Sequence, residues 1–259
     1  MDKREILKNW DEAYRKIGIL QPEVMDIVKE AVDVFRQNNV QKVLDLGFGT
    51  GRHTVFLAKK GFEMYGTEVS EKGKEITEQR LKEAGLAAKL FMADMHRLPF
   101  ENGNFDAVIA IYVIEYNTLA GLKETIAEIK RVLKPGGIFV GTLITDKDYK
   151  NGLGNEIERG TFINPEDQIE STMPHRITDE KEVHELFSEF TEISRPLSGA
   201  AIRRPKTVSQ RLCAMPPTSR FCASVPGWCS GCATSPAAVA ITSSPGGRVR
   251  AWLISPSPV

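Results

Sequence analysis

Three glycines at alternating positions follow an acid in the run Asp45-Leu46-Gly47-Phe48-Gly49-Thr50-Gly51. Glycines let a backbone come close to a ligand, and a helix that starts just after such a turn offers unpaired N–H groups to a carboxylate or a phosphate. Two ligand classes use a turn of this kind. A dinucleotide fingerprint wants Gly-x-Gly-x-x-Gly, whereas here the last glycine comes one position early and Arg52 stands where the third should be. Asp45, two residues before the first glycine, would repel a pyrophosphate but suits a ligand with an ammonium group. A nicotinamide-dependent oxidoreductase is the alternative user of this loop.

The elements that hold the turn can be read from periodicity. Lys42 to Leu46 is a strand that breaks into the glycines, and a helical run from Arg52 to Lys60 closes at Gly61. The unit then repeats. Phe62 to Val69 reads as a strand, Glu71 to Ala84 as a helix, Ala88 to Met92 and Phe105 to Ile111 as strands, Leu122 to Leu133 as a helix and Ile138 to Leu143 as a strand. Strands alternating with helices of this length imply an α/β fold, a doubly wound and mostly parallel Rossmann-like sheet with helices on both faces. Near-continuous apolar runs such as Ala107 to Ile111 fit strands buried on both sides. Upstream, apolar residues spaced by three and four predict helices over 2–18 and 22–38, the second with Pro22 in its first turn. Between Thr145 and Thr178 a polar stretch shows no period and reads as an excursion over the site. A short helix (Glu180 to Phe187) and a strand (Phe190 to Arg195) follow.

Asp45-x-Gly47-x-Gly49-x-Gly51 resembles the first motif of class I S-adenosylmethionine-dependent methyltransferases, and further motifs agree in order. Glu68 ends the second strand, 21 residues after Gly47. Ala93-Asp94-Met95 follows the third strand, Asn104-Phe105-Asp106-Ala107-Val108 matches the fourth-strand motif, and Leu133-Lys134-Pro135-Gly136-Gly137 matches the turn before strand five. The resemblance covers about residues 6 to 195. It implies S-adenosylmethionine as cofactor, held by Asp45, Gly47, Gly49, Gly51, Glu68, Val69, Asp94, Met95 and Ile111. Glu68 would accept the ribose hydroxyls and Asp94 the adenine amino group. Within that family, Trp10-Asp11-Glu12-Ala13-Tyr14 and Gly51-Arg52-His53 are similar to a branch of small-molecule enzymes of the tellurite-resistance type.

Methyl transfer from a sulfonium is an in-line displacement, so positioning and desolvation supply much of the rate and no metal is required. On the acceptor side, Tyr112 and Glu115 follow the fourth strand, where the methyl would emerge, and either suits orienting or deprotonating an acceptor. His175 lies in the excursion, within reach of the same place. Trp10 and Tyr14 share a helical face and read as a lid or as core, and His53 as a ligand contact or a packing residue. His96 and His184 read as surface or packing residues.

Of 259 residues, 41% are hydrophobic and 26% charged, enough for a sizeable core, and the formal net charge is zero. That zero hides an asymmetry: residues 1–192 hold 26 basic and all 34 acidic side chains, a net charge of −8. So acidic a body argues against nucleic acid and for a small-molecule partner. No uninterrupted apolar run suits a membrane span and the charged N-terminus is unlike a secretory signal, so the cytoplasm is the expected compartment.

The sequence therefore divides into a helical lid (1–38), a catalytic sheet (39–195) and a Ser-, Pro- and Cys-rich extension (196–259). The extension holds nine of the 14 prolines and all four cysteines, and reads as disordered or out-of-frame sequence. Its Cys213, Cys222, Cys229 and Cys232 contain one Cys-x-x-Cys pair, but the first spacing is wrong for a zinc knuckle. The normal last strand of the family's sheet has no counterpart at the expected place, and only Val249 to Ile254 imitates it. A protein that binds the cofactor without turnover, disabled by this C-terminus, is the third reading beside the methyltransferase and the oxidoreductase.

Overall fold

The structure, a computed structural model, describes residues 3–19, 22–167, 169–194, 237–242 and 249–254. Helices α1 (Lys3–Ile17) and α2 (Asp26–Gln37) precede β1 (Lys42–Leu46), α3 (Arg52–Lys59), β2 (Glu63–Glu68), α4 (Glu71–Glu83), β3 (Lys89–Met92) and β4 (Phe105–Ala110). Then come α5 (Leu119–Val132), β5 (Leu133–Thr145), β6 (Asn155–Glu158), β7 (Thr161–Ile163), β8 (His175–Thr178), α6 (Glu180–Leu186) and β9 (Phe190–Ser194). Two further strands, β10 (Ala237–Thr242) and β11 (Val249–Ile254), end the series.

Strands β3, β2, β1, β4 and β5 lie side by side in that order and all in parallel. Their side chains alternate between two apolar layers. Val108 and Ala110 of β4, Leu44 and Leu46 of β1 and Phe139 of β5 pack with α5 and with Val183 and Phe187. Ala107 and Ile109, Val43, Ile138 and Val140 point the other way, into the layer made by α2 and Leu57 of α3. A period of two with both phases apolar requires a helix on each face, which is why β4 reads as an unbroken hydrophobic run.

Three differences from the sequence expectations concern local signals. Helix α2 starts at Asp26, with Met25 as N-cap, so Pro22 lies outside its first turn. The stretch after Thr145, which carries no period, contains the antiparallel pairs β6–β7 and β7–β8, and β8 continues in parallel beside the end of β5. The edge of β5 is covered by β10, antiparallel from Ala237↔Leu143 to Thr242↔Ile138, a segment that no sequence period marks. Strand β9 pairs antiparallel with β10 and parallel with β11. Apart from β10 and β11, the 196–259 extension lies outside the described residues. Among the described residues no helix is long and apolar enough to cross a membrane.

Candidate active site

The glycine turn forms at the carboxyl end of β1, in the middle of the parallel sheet, where strand order reverses, the place at which open sheets of this kind bind ligands. Gly47, Gly49 and Gly51 all have positive φ, 66°, 55° and 76°. Each is also hemmed in: a Cβ would come 2.5 Å from a Val113 methyl at Gly47, 2.8 Å from the Tyr14 hydroxyl at Gly49 and 2.4 Å from a Thr77 methyl at Gly51. Both conformation and space therefore demand glycine. The turn is strapped to its neighbours by Gly47 N–H donating to Thr67 O (2.8 Å), Thr77 Oγ1 donating to Gly49 O (3.1 Å) and Arg80 donating to Thr50 O (2.6 Å).

Two acids flank the turn. Asp45 is 1% exposed and accepts a bond from Thr54 Oγ1 at 2.6 Å, which ties β1 to α3. Burial lifts its carboxyl from 3.8 to about 7, against the pull of Thr54 and Arg52. Glu68, at the end of β2, is 5% exposed and accepts three backbone bonds: from Gly49 N–H at one oxygen (2.8 Å), and from Val69 and Ser70 N–H at the other (2.8 and 3.0 Å). Burial raises this carboxyl too, and the three donors oppose the rise.

Helix α1 closes over the turn. Asp11 accepts bonds from Ser70 Oγ (2.8 Å) and Lys72 N–H (2.9 Å), docking α1 on the start of α4. Tyr14 stacks on Trp10 with centroids 5.8 Å apart, and Trp10 meets the Tyr116 ring edge-on at 5.3 Å. Tyr116 donates to Glu170 at 2.6 Å, and the other oxygen of Glu170 accepts from Lys150 (2.6 Å) and lies 2.8 Å from Nε2 of His175. The excursion thus reaches the lid indirectly, from its buried ion cluster through Tyr116 to Trp10, and directly through Asn9, whose side-chain amide donates to Thr172 Oγ1. Although burial opposes it, His175 and Lys150 hold the Glu170 carboxyl far below the usual carboxylate range. A small concavity beside the cluster is lined by Tyr149, Lys150, Leu153, Asn164, Asp167 and His175.

Beyond β4 the chain strains. Tyr112 has φ 59°, and its N–H donates to Thr142 Oγ1 at 2.6 Å. Non-glycine residues held in this region need support from their surroundings and cluster at functional sites. Burial and the neighbouring Glu115 charge push the Tyr112 hydroxyl up, so it stays protonated. Glu115 is 1% exposed, its Oε1 lies 3.4 Å from Thr142 Oγ1, and its Oε2 has no hydrogen-bond partner among the described residues. Burial lifts its carboxyl from 4.5 to about 8.

The expected cofactor residues do not all stand alike. The glycines, Glu68 and Val69 converge on the turn, and Asp45 lies beneath it. Ile111 is buried in the apolar layer on the α2 side. Met95 packs against the α5 side and receives a 3.5 Å contact from Asn117 Nδ2. Asp94 bonds to the backbone and ring of His96. His53 is buried, and its Nε2 accepts from Met25 N–H at 3.4 Å, which makes it a link between α2 and α3. Sequence reasoning missed Arg52, 8% exposed with its guanidinium 5.8 Å from the Tyr112 ring centroid, and the Glu170–Lys150 pair. Apart from the Arg that replaces a third glycine, no local signal marks these residues, because their partners are distant in sequence.

Residues 43–137 match the family model described as a methyltransferase domain. They form a class I S-adenosylmethionine-dependent methyltransferase domain. The match decides between the two ligand classes open to the glycine turn. A sterol 4-C-methyltransferase of Caenorhabditis elegans is 36% identical over 109 residues, 41% of this chain and 32% of that protein. A demethylmenaquinone methyltransferase of Thermotoga maritima is 33% identical over 114 residues, 43% of this chain and 47% of that protein. The chain thus spans a third to a half of the length of these curated relatives. Among solved structures, an S-adenosylmethionine-dependent methyltransferase from Clostridium acetobutylicum matches with a TM-score of 0.56 and 16% identity, over 78% of this chain and 94% of that one. The PH0226 protein from Pyrococcus horikoshii gives a TM-score of 0.55 at 23% identity, over 73% and 94%. These two likenesses concern the fold. The domain's residues fit S-adenosylmethionine through Glu68, a buried carboxyl at the end of β2 that three backbone donors fix beside the glycine turn.

Proposed function

We propose that the protein moves a methyl group from S-adenosylmethionine to a small-molecule acceptor bound between the end of β4, helix α1 and the 146–178 excursion. The observation that carries this reading is the buried Glu115 carboxyl with one unmatched oxygen. An unmet buried polar atom is costly, and a ligand donor is what relieves it. The cofactor supplies an electrophilic methyl on a sulfonium, and everything else is done by the chain's own residues.

In this reading the glycine turn approaches the methionine portion, Asp45 favours its ammonium end, Glu68 accepts the ribose hydroxyls, and Asp94 takes the adenine amino group with Met95 against the ring. Val69 and Ile111 form apolar borders. Trp10 and Tyr14 cover the site and exclude water, which strengthens the electrostatic contacts inside. Glu115 orients the acceptor and receives its proton, so that the proton leaves the nucleophile as the methyl bond forms. Tyr112, held neutral, donates to the acceptor, and His175 walls the pocket while Glu170 holds it. Support for a small acceptor comes from the acidic body and from the named relatives, a sterol and a demethylmenaquinone methyltransferase.

The test is a methyl-transfer assay with radiolabelled S-adenosylmethionine against metabolite extracts, run with the wild type and Glu115→Gln. Labelled product from the wild type and strongly reduced product from the variant support the reading. Cofactor binding without transfer to any acceptor would instead favour a binding-only protein.

A further inference from the structure

We propose that His96 is a positioning residue that fixes the Asp94 carboxylate for adenine; this rests on the reading of Asp94 given above. Two His96 groups converge on one oxygen of Asp94, Oδ1: the backbone N–H at 2.9 Å and ring Nδ1 at 2.5 Å. On its other side, Nε2 lies 2.7 Å from Asn117 Oδ1. The Asn117 amide cannot turn round, because its nitrogen faces three acceptors: Ile114 O (3.2 Å), Thr125 Oγ1 (3.4 Å) and Met95 Sδ (3.5 Å). Thr125 spends its own proton on Gly121 O at 2.9 Å, so its oxygen is the accepting partner.

This fixes the protons on the imidazole. Nε2 must donate to an amide oxygen, and the one proton between Nδ1 and Asp94 Oδ1 belongs on the imidazole, the stronger base of the two, which makes the ring doubly protonated and leaves the carboxylate ionised. His96 thereby sets the plane of Asp94 by a charge-assisted bond and keeps the carboxylate ionised as an acceptor for the exocyclic amino group of adenine. A second feature guards the arrangement. A Cβ at Gly121 would stand 2.4 Å from Asn117 Oδ1 and 3.0 Å from His96 Nε2, so a glycine on α5 keeps open the space that this contact needs.

Calorimetric binding of S-adenosylhomocysteine and S-inosylhomocysteine to the full chain tests this, because in the second ligand the adenine amino group becomes a carbonyl and N1 gains a proton, which changes the edge that Asp94 would meet. The wild type is expected to prefer S-adenosylhomocysteine by about tenfold or more, the range of one hydrogen bond to a charged acceptor. His96→Gln is expected to lose that preference while keeping its affinity for the inosyl ligand. Gly121→Ala, which favours the helix intrinsically, is expected to do the same. Equal loss of affinity for both ligands would show a merely structural role and overturn the inference. A variant that keeps the full preference would overturn it while leaving the reading of Asp94 intact. A wild type without preference would overturn both. Long-range proton–nitrogen spectra of the wild type at pH 7 are expected to show protons on both His96 ring nitrogens, and a neutral ring there would overturn the inference without any variant.

Discussion

Glu68 and Glu115 are both buried carboxylates at the carboxyl ends of neighbouring parts of the sheet, yet their surroundings treat them in opposite ways. At Glu68 both oxygens are engaged by backbone N–H groups of the glycine turn and of the start of α4. At Glu115 one oxygen has only a 3.4 Å contact with Thr142 and the other has no partner among the described residues. Burial raises both groups; three backbone donors oppose it at Glu68, whereas at Glu115 the backbone of Val113 and of Glu115 itself and the Lys150 charge oppose it and still leave the carboxyl at about 8. Backbone donors hold a charge in a fixed place, which suits recognition of an invariant cofactor. An unmet oxygen on a group that titrates near neutrality suits a step in which a proton moves.

The widest separation between the two should come from amide substitutions. Glu115→Gln is expected to lower kcat by roughly 10²–10⁴, the usual scale of a general base, with cofactor affinity changed by less than about threefold. Because the Glu115 carboxyl is pushed to about 8, the wild-type rate should climb with pH and level off above that value. A flat rate between pH 6 and 9 would break the assignment. Stability moves the other way. A carboxyl held at about 8 rather than 4.5 binds its proton more tightly when folded. Its contribution is full below about 4.5 and is lost as pH rises to about 8. Glu115→Gln should therefore gain on the wild type between pH 5 and pH 8, by on the order of 1–3 kcal/mol, read from urea titrations at the two values. An equal difference at both would mean that Glu115 ionises like a surface carboxylate.

Glu68→Gln should show the converse pattern. Loss of a charged acceptor costs roughly 1–3 kcal/mol, or about 5- to 100-fold in S-adenosylhomocysteine affinity, with kcat at saturating cofactor changed only a few-fold. If the two variants affected binding and turnover alike, the division of labour between the two acids would be wrong.

Much of one side of this comparison is legible in the sequence and much of the other is not. The glycine turn, the acid before it and Glu68 announce themselves because a strand, a turn and a helix follow one another within some 30 residues, and β4 carries an apolar run of the kind a doubly covered sheet requires. Tyr112 and Glu115 are legible as residues after a strand, but nothing local says that one has φ 59° and the other an unmet oxygen. Glu170, Lys150 and His175 lie in a stretch without a period, and their meaning comes from Tyr116, 54 positions before Glu170. His96 likewise reads as a packing residue until α5 brings Asn117 against it. Strand β10 escapes for a related reason: it is six residues, three of them alanine, whose partner β5 lies about a hundred positions away. Contacts of that span leave no imprint on neighbouring residue types.

The smallest effect concerns the lid, and two glycines isolate it. Gly49 and Gly85 both have positive φ, 55° and 65°, so alanine at either carries the left-handed penalty of about 1 kcal/mol. Only Gly49 has a neighbour within reach of the new methyl, the Tyr14 hydroxyl at 2.8 Å, whereas nothing lies within 4 Å at Gly85. Gly85→Ala should lower stability and leave cofactor affinity unchanged. Gly49→Ala should lower stability by a similar amount and also weaken affinity several-fold, because the lid helix is pushed off the turn. The next atom of Tyr14 is its ring carbon at 3.7 Å, an ordinary contact distance. Adding Tyr14→Phe to Gly49→Ala removes the clashing hydroxyl and should recover most of the lost affinity. Equal affinity in the Gly49 and Gly85 variants, or no recovery in the double variant, would show that α1 does not bear on the bound cofactor and that its aromatic residues serve the acceptor side alone.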